Sequence, residues 1–348
     1  MYTEGGFFMI QKILLGTYTR RISQGIYQID LNTDTKTLTN LELVTAEISP
    51  TYLTKSKEEV LYAVTSREEK GGVSSYDPQI NFLNAVTEEG APPCYVAVDE
   101  ARQLVYGANY HKGELNTYKI QSDGSLEAAA SLAHKEPTGP HKNQDHAHTH
   151  YTDLAPDQRL VVCDLGTDRV YTYDVADNGA VEEVAVYVAE PGTGPRHLVF
   201  HPNETTAYLF GELDSSVSVL SYDQTDGSFT QKQKVSTLPA DFDGENGGAA
   251  IRISNDGRYL YASNRGHNSI AVFVITENGQ HIENVQSIST EGDFPRDFAL
   301  SPDNAYVVAA NQNSDNLTLY RRDAESGLLT MIQKDVYAPE AVCVYFEA

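Results

Sequence analysis

Tryptophan is absent from this chain, and cysteine and methionine occur three times each. Cys94, Cys163 and Cys343 lie far apart, each in an apolar run and without C-x-x-C spacing. That pattern argues against a disulfide framework and predicts buried free thiols in a reducing compartment, the cytoplasm. Basic residues are scarce: 25 Lys and Arg stand against 49 Asp and Glu, a formal net charge of −24. Phosphate backbones and anionic membranes demand a basic footprint, so nucleic acid and membrane are not expected as partners. A small anionic ligand stays admissible, because two or three local arginines can hold one. No apolar stretch approaches the length of a membrane span. The opening MYTEGGFFMIQK lacks a basic start and a long apolar core, so a secretory signal is not expected. Residues 1–8 are expected to form an N-terminal extension, either an extended start or a disordered tail, followed by one domain over 9–348.

Long helical patterns are also hard to find. What the chain has instead is 22 Tyr, 11 Phe and many Thr/Val-rich runs of six to eight residues, which favour strands. The stretch 249–275 shows the pattern: an alternating run, a turn at Asn255-Asp256-Gly257, a second run, a turn at Asn264 to Asn268, and a third run. Taking Tyr261 as a marker, its counterparts are Leu15, Tyr62, Tyr106, Val162, Phe210 and Val308, spaced by 47, 44, 56, 48, 51 and 47 residues. Seven repeats of this period predict an all-β, seven-bladed β-propeller with four-stranded blades. Six repeats open with an inner-strand candidate, such as His197-Leu198-Val199-Phe200 or Asp297-Phe298-Ala299-Leu300. The first has none, and the missing strand stands at the other end as Glu340 to Val344. The C-terminal strand is therefore expected to pair with the N-terminal blade and close the ring. Asp123-Gly124-Ser125, Asp226-Gly227-Ser228 and Glu325-Ser326-Gly327 read as outer hairpin turns. The long spacing marks an insertion over 134–148, either a functional loop or a disordered insert.

In an antiparallel blade the start of strand one and the end of strand two share a face. One channel mouth should therefore collect His148 and His150, Arg196-His197 and Arg296-Asp297. It should also receive Thr17-Tyr18, Asn109-Tyr110, Asp164, Glu212, Asn264-Arg265 and Asn311-Gln312 from strand-two ends. His146, His148 and His150 alternate, so two imidazoles can share a face. Metal chelation, substrate binding or acid–base work, and solvated loop histidines are the three readings, and no third metal ligand can be named. Arg196 and Arg265 read as anion binders or as partners of a carboxylate, with Arg296 beside Asp297 a weaker candidate. Glu212 reads as a general base, the orienter of one, or an ion-pair partner of Arg196. There is no G-x-S-x-G elbow, P-loop or Rossmann fingerprint. Gly71-Gly72 and Gly247-Gly248 read as turns, and cysteines inside apolar strands make poor nucleophiles.

The His-x-His before Leu154-Ala155-Pro156-Asp157 is followed by the run Asp164 to Val170. Gly194-Pro195-Arg196-His197, Gly211-Glu212-Leu213 and Ser263-Asn264-Arg265-Gly266 stand further on. Together they resemble the lactonase-type seven-bladed propellers, the family of bacterial 6-phosphogluconolactonases and carboxymuconate-lactonizing enzymes. The resemblance runs from Leu15-Gly16-Thr17-Tyr18-Thr19 to the closing strand. It implies a site with a histidine, an arginine and a glutamate, here His148 or His150, Arg196 and Glu212, with Arg265 as a further anion binder. The set it leads us to expect is Glu212, Arg196 and His148 as catalytic, and His150, Arg265, Asn264 and His197 as substrate-binding. No metal and no cofactor are expected, since a lactone is already an activated ester. The implied activity is hydrolysis of a sugar-acid lactone, 6-phospho-D-glucono-1,5-lactone, by a cytoplasmic monomer or weak homodimer. The alternatives are another lactone or a muconate-type cyclisation on the same fold, or a binding scaffold without activity.

Overall fold

Runs in which apolar and polar side chains alternate cannot bury a face alone, so they pair edge to edge and then stack face to face. Here they do so seven times. The structure, a computed structural model, describes residues 10–347 and gathers their strands into seven antiparallel sheets of four. The expected extension over 1–8 lies outside the described residues. Blades two to seven span 53–89, 95–133, 149–188, 195–236, 247–289 and 295–337, their strands following chain order outward from a central channel. Blade one takes Ile10–Thr17, Gly25–Asn32 and Thr37–Ala46 from the beginning of the chain and its innermost strand, Ala341–Phe346, from the end. Leu14 pairs with Tyr345 and Gly16 with Cys343, so the ring closes as the displaced seventh opening requires. No helix among the described residues is long and apolar enough to cross a membrane.

Burial follows the radius. Second strands such as Leu160–Asp164 and Thr206–Gly211 are buried throughout, whereas an outer strand such as Val181–Val188 is exposed or half-buried. Neighbouring blades share apolar clusters: Tyr261, Ile270 and Val272 of blade six pack with Phe298, Val307 and Ala309 of blade seven. Polar ties repeat at the same joints. The hydroxyls of Tyr62, Tyr208 and Tyr261 donate to the carbonyls of Gly124, Gly279 and Gly327 in the next blade's outer turn, at 3.2, 2.8 and 2.8 Å. In blades three and four a third-strand threonine takes over, Thr117 to Gly179 and Thr172 to Gly227, at 2.9 and 2.8 Å. All five turn glycines have φ between 68° and 93°, a left-handed backbone that other residues adopt only with strain. Tyr208, not Phe210, is thus the blade-five counterpart of Tyr261.

Three further expectations change. Gly71-Gly72 and Gly247-Gly248 are not turns but lie in strands Lys70–Tyr76 and Gly247–Ile253. Glycine is needed there for close approach: a Cβ on Gly71 would sit 2.2 Å from the Pro92 nitrogen, and one on Gly248 2.7 Å from the Gly211 carbonyl. Cys94 lies just before strand Tyr95–Asp99 rather than inside it. The insertion is an ordered loop packed on blade four. His134 Nδ1 lies 2.7 Å from Asp164 Oδ2, and buried Gln144 donates to the Leu165 carbonyl at 2.9 Å.

Candidate active site

Two local features decide which side chains reach the channel mouth. The first is alternation at the outgoing end of each second strand. Thr17, Asn109, Asp164, Asn264 and Asn311 are buried there and turn toward their own loops. Thr17 Oγ1 donates to the Gly25 carbonyl at 2.6 Å, Asn109 Nδ2 to Ala91 at 2.8 Å and Asn311 Nδ2 to Thr290 at 3.1 Å. Successive side chains of an extended chain point to opposite faces. The next residue can therefore point into the mouth, as Tyr18, Tyr110 and Arg265 do, and Glu212 after Gly211; Leu165 and the expected Gln312, after Asp164 and Asn311, do not line it. The second feature is a register slip where inner strands begin. Cross-strand pairing skips His150, Arg196 and Arg296 in blades four, five and seven. A bulged residue is freed from the ladder and its side chain re-aimed; all three enter the channel.

Together these residues line a mouth cavity of about 540 Å³ above a narrow throat. At its base Glu212 Oε2 accepts from Arg196 Nε at 2.9 Å and pairs with Arg265 Nη2 at 2.8 Å. Each guanidinium is also tied to backbone, Arg196 Nη1 to the Ala249 carbonyl at 2.6 Å and Arg265 Nη2 to Gly248 at 2.7 Å. Burial pushes the Glu212 carboxyl up, but Arg265, Arg196 and Arg296 outweigh it and hold the group below its usual value. Burial and the neighbouring Arg265 bring Arg196 down to about 9, so it stays charged at neutral pH. Two cations share one anion, and the base of the cavity is net positive. Beside it, Arg296 and Arg20 lie over the Tyr18 ring, 5.6 and 3.9 Å from its centroid, and neither forms an ion pair among the described residues. Asp297, the expected neighbour of Arg296, turns away to accept from Arg252 Nη2 at 2.7 Å and from the Val344 N–H at 2.9 Å.

His150 is 3% exposed, and its buried Nδ1 has no hydrogen-bond partner among the described residues. Burial, then Arg196, Arg296 and Arg265, push its pKa well below the usual imidazole value, so the ring is neutral at pH 7. His197 lies deeper, Nε2 3.3 Å from Arg196 Nη1 and its ring 5.1 Å from that of His150. It packs with Tyr52, Tyr95 and Tyr151 into an aromatic floor. Beyond that floor lies a wider cavity of about 870 Å³ at the opposite end of the channel.

Of the seven residues expected as catalytic or substrate-binding, the structure therefore brings together Glu212, Arg196, Arg265, His150 and His197 and leaves out two. His148 stands behind the mouth wall: Nδ1 lies 2.9 Å from the Tyr110 carbonyl and Nε2 2.9 Å from Asp145 Oδ1. The bulge at His150 breaks the parity that would have put both imidazoles on one face. Asn264 is spent on structure, its Oδ1 accepting from Thr237 Oγ1 at 2.7 Å and Asn246 Nδ2 at 3.0 Å. The sequence reading missed Arg20 and the place of Cys94, and underrated Arg296. Pro195-Arg196 and Pro295-Arg296 occupy the same repeat position, a signal that marks Arg296; Arg20 sits on a loop with no comparable mark. The Cys94 thiol borders the mouth and donates to the His150 carbonyl at 3.5 Å. Burial raises it to about 11, so it is no thiolate nucleophile at neutral pH.

Residues 12–346 match the family described as lactonase, 7-bladed beta-propeller. A crystal structure of a protein from Lactobacillus plantarum superposes with a TM-score of 0.96 at 52% identity, covering 98% of this chain and all of that one. The 6-phosphogluconolactonase of Bacillus subtilis is 40% identical over 95% of this chain and 97% of its own length. The periplasmic gluconolactonase of Pseudomonas aeruginosa superposes with a TM-score of 0.91 at 29% identity, covering 98% and 99% of the two chains. With its seven four-stranded blades and its match over nearly the whole length, the chain belongs to the lactonase family of seven-bladed β-propellers.

Proposed function

We propose that the protein hydrolyses 6-phospho-D-glucono-1,5-lactone to 6-phosphogluconate at the mouth cavity. The observation that carries this reading is the pairing of two buried guanidiniums on one carboxylate beside a neutral imidazole that lines the same cavity. Water adds to the lactone carbonyl, and the oxygen that becomes negative faces Arg196 and Arg265, held in place before the reaction begins. His150 takes the proton of the attacking water and returns it to the ring oxygen as the carbon–oxygen bond breaks. Glu212, depressed in basicity and shared by two arginines, positions them rather than accepting the proton. Arg296 and Arg20, without an ion-pair partner among the described residues, receive the phosphate. The reaction requires no cofactor, because a lactone is an activated ester. The names of the Bacillus and Pseudomonas relatives support a gluconolactone-type substrate. Three free cysteines among the described residues and a phosphorylated substrate fit the cytoplasm and the pentose phosphate pathway.

The test is hydrolysis of phosphorylated and plain gluconolactone against the spontaneous background, for wild type, Glu212→Ala and His150→Gln. Wild type is expected to exceed background on the phosphorylated lactone, with a loss of about 10²–10³-fold in each variant. Background rates for wild type on both substrates would remove the reading. Turnover of the plain lactone alone would keep the chemistry and discard the phosphate role.

A further inference from the structure

Three side chains of the inserted loop converge behind the mouth wall. Asp145 Oδ1 lies 2.9 Å from His148 Nε2 and 3.1 Å from His146 Nδ1, and the three atoms fall within 4.8 Å of one another. Both imidazoles are fixed from the rear. His148 Nδ1 is 2.9 Å from the Tyr110 carbonyl oxygen, and His146 Nε2 is 3.0 Å from that of His111. A carbonyl only accepts, so the rear nitrogens carry the ring hydrogens. In the neutral rings the front nitrogens are then bare lone pairs, and both point at a carboxylate oxygen. Three acceptors turned on one another repel unless a cation stands among them. An imidazole donating its second nitrogen to a backbone carbonyl is also the outer-shell arrangement that orients metal-binding histidines.

We propose that Asp145, His146 and His148 bind a divalent first-row metal ion, with water in the remaining coordination positions. Two imidazole nitrogens and a carboxylate oxygen form a donor set suited to zinc. Zinc bonds of about 2.0–2.2 Å in tetrahedral geometry separate donors by about 3.3 Å, so the carboxylate must retreat by a few tenths of an ångström. The Asp145 side chain is 72% exposed and has room to do so, while His148 is buried and already oriented. The site is separate from the hydrolytic cluster, since neither His146 nor His148 lines the mouth cavity. Its two imidazoles tie the inserted loop to the turn after Asn109 through the Tyr110 and His111 carbonyls. Tyr110 of that turn stacks on His148, centroids 4.1 Å apart and planes within 14°, and forms part of the mouth wall.

Tag-free protein stripped with a chelator and titrated with Co²⁺ tests the site directly. One equivalent is expected to bind with visible d–d absorption, to be displaced by Zn²⁺, and Zn²⁺ is expected to raise the thermal midpoint. Asp145→Asn and His146→Gln change exposed side chains and are expected to fold as wild type by circular dichroism. Each loses a ligand, so binding should weaken by more than the roughly 10–100-fold seen when an outer-shell partner is lost. His281→Gln, an exposed imidazole on the rim of blade six, should bind as wild type. No stoichiometric Co²⁺ binding by wild type, or undiminished binding in both ligand variants, would overturn the site and leave protons holding the three groups together.

Discussion

Glu212 and Asp153 are both carboxyls on the channel wall, and their neighbours push them in opposite directions. Glu212 has two guanidiniums on one oxygen, whereas Asp153 accepts one hydrogen bond, from the Leu154 N–H at 2.8 Å, in the wider cavity below the aromatic floor. Burial raises Asp153 to about 6. The folded protein therefore prefers the protonated acid. The stability linked to it is complete below the unfolded value near 3.8 and is lost as pH rises through about 6. Asp153→Asn removes that loss and should stabilise the protein by ~1–3 kcal/mol at pH 8 and by nothing comparable at pH 4. Urea melts of both proteins at the two pH values decide it, and an equal gain at both would refute the account. Single residues were legible in the sequence where topology alone fixes their place. The meeting of Arg196, Glu212 and Arg265 at one mouth was legible because strand ends must converge there. His148 was misread because one bulged residue reverses the parity of the side chains before it, and no alternation pattern reveals a bulge.

At the scale of elements, the closing strand does more than pair with Ile10–Thr17. Glu340, directly before it, is 2% exposed and accepts four backbone N–H groups, from Arg20, Arg21, Ile22 and Ser23, at 2.9–3.1 Å. Burial raises its carboxyl, but these N–H donors outweigh burial and hold the pKa below its usual value. Its contribution is thus present above the unfolded pKa near 4.5 and is lost as pH falls through the lowered folded value. Glu340→Gln keeps the size and removes the charge that four donors share. It should cost about 2–3 kcal/mol at pH 7, judged from hydrogen bonds to charged groups. A thermal midpoint equal to that of wild type at pH 7 would show that the loop holds itself. The displaced inner strand was visible as a missing opening in the first repeat, because period and count are properties of the whole chain. The carboxylate nest was not, since it joins residues at opposite ends of the sequence through backbone atoms that carry no sequence signal.

At the scale of the whole molecule, a chain of net charge −24 concentrates cations at one mouth. Arg20, Arg196, Arg265 and Arg296 gather there around Glu212. Arg196 and Arg265 are neutralised in part and anchored to backbone, whereas Arg20 and Arg296 rest on Tyr18 with no carboxylate partner among the described residues. A guanidinium on an aromatic face keeps its N–H fork free for an oxyanion. In the proposed reaction the two pairs would divide the work, Arg196 and Arg265 polarising the carbonyl and Arg20 and Arg296 holding the phosphate. Arg296→Ala and Arg20→Ala should therefore act on one substrate only. For the phosphorylated lactone, kcat/KM should fall about 10–100-fold, chiefly through KM, as expected when binding energy shared by ground and transition states is removed. For plain gluconolactone the change should stay within about twofold, because that lactone carries no phosphate for the two guanidiniums to hold. Inorganic phosphate, competing at the same guanidiniums, should inhibit wild type and lose most of its effect in the double variant. An equal loss on both lactones would place Arg296 and Arg20 in the support of the cavity instead, and the phosphate would then have to be held by Arg196 and Arg265 at the base.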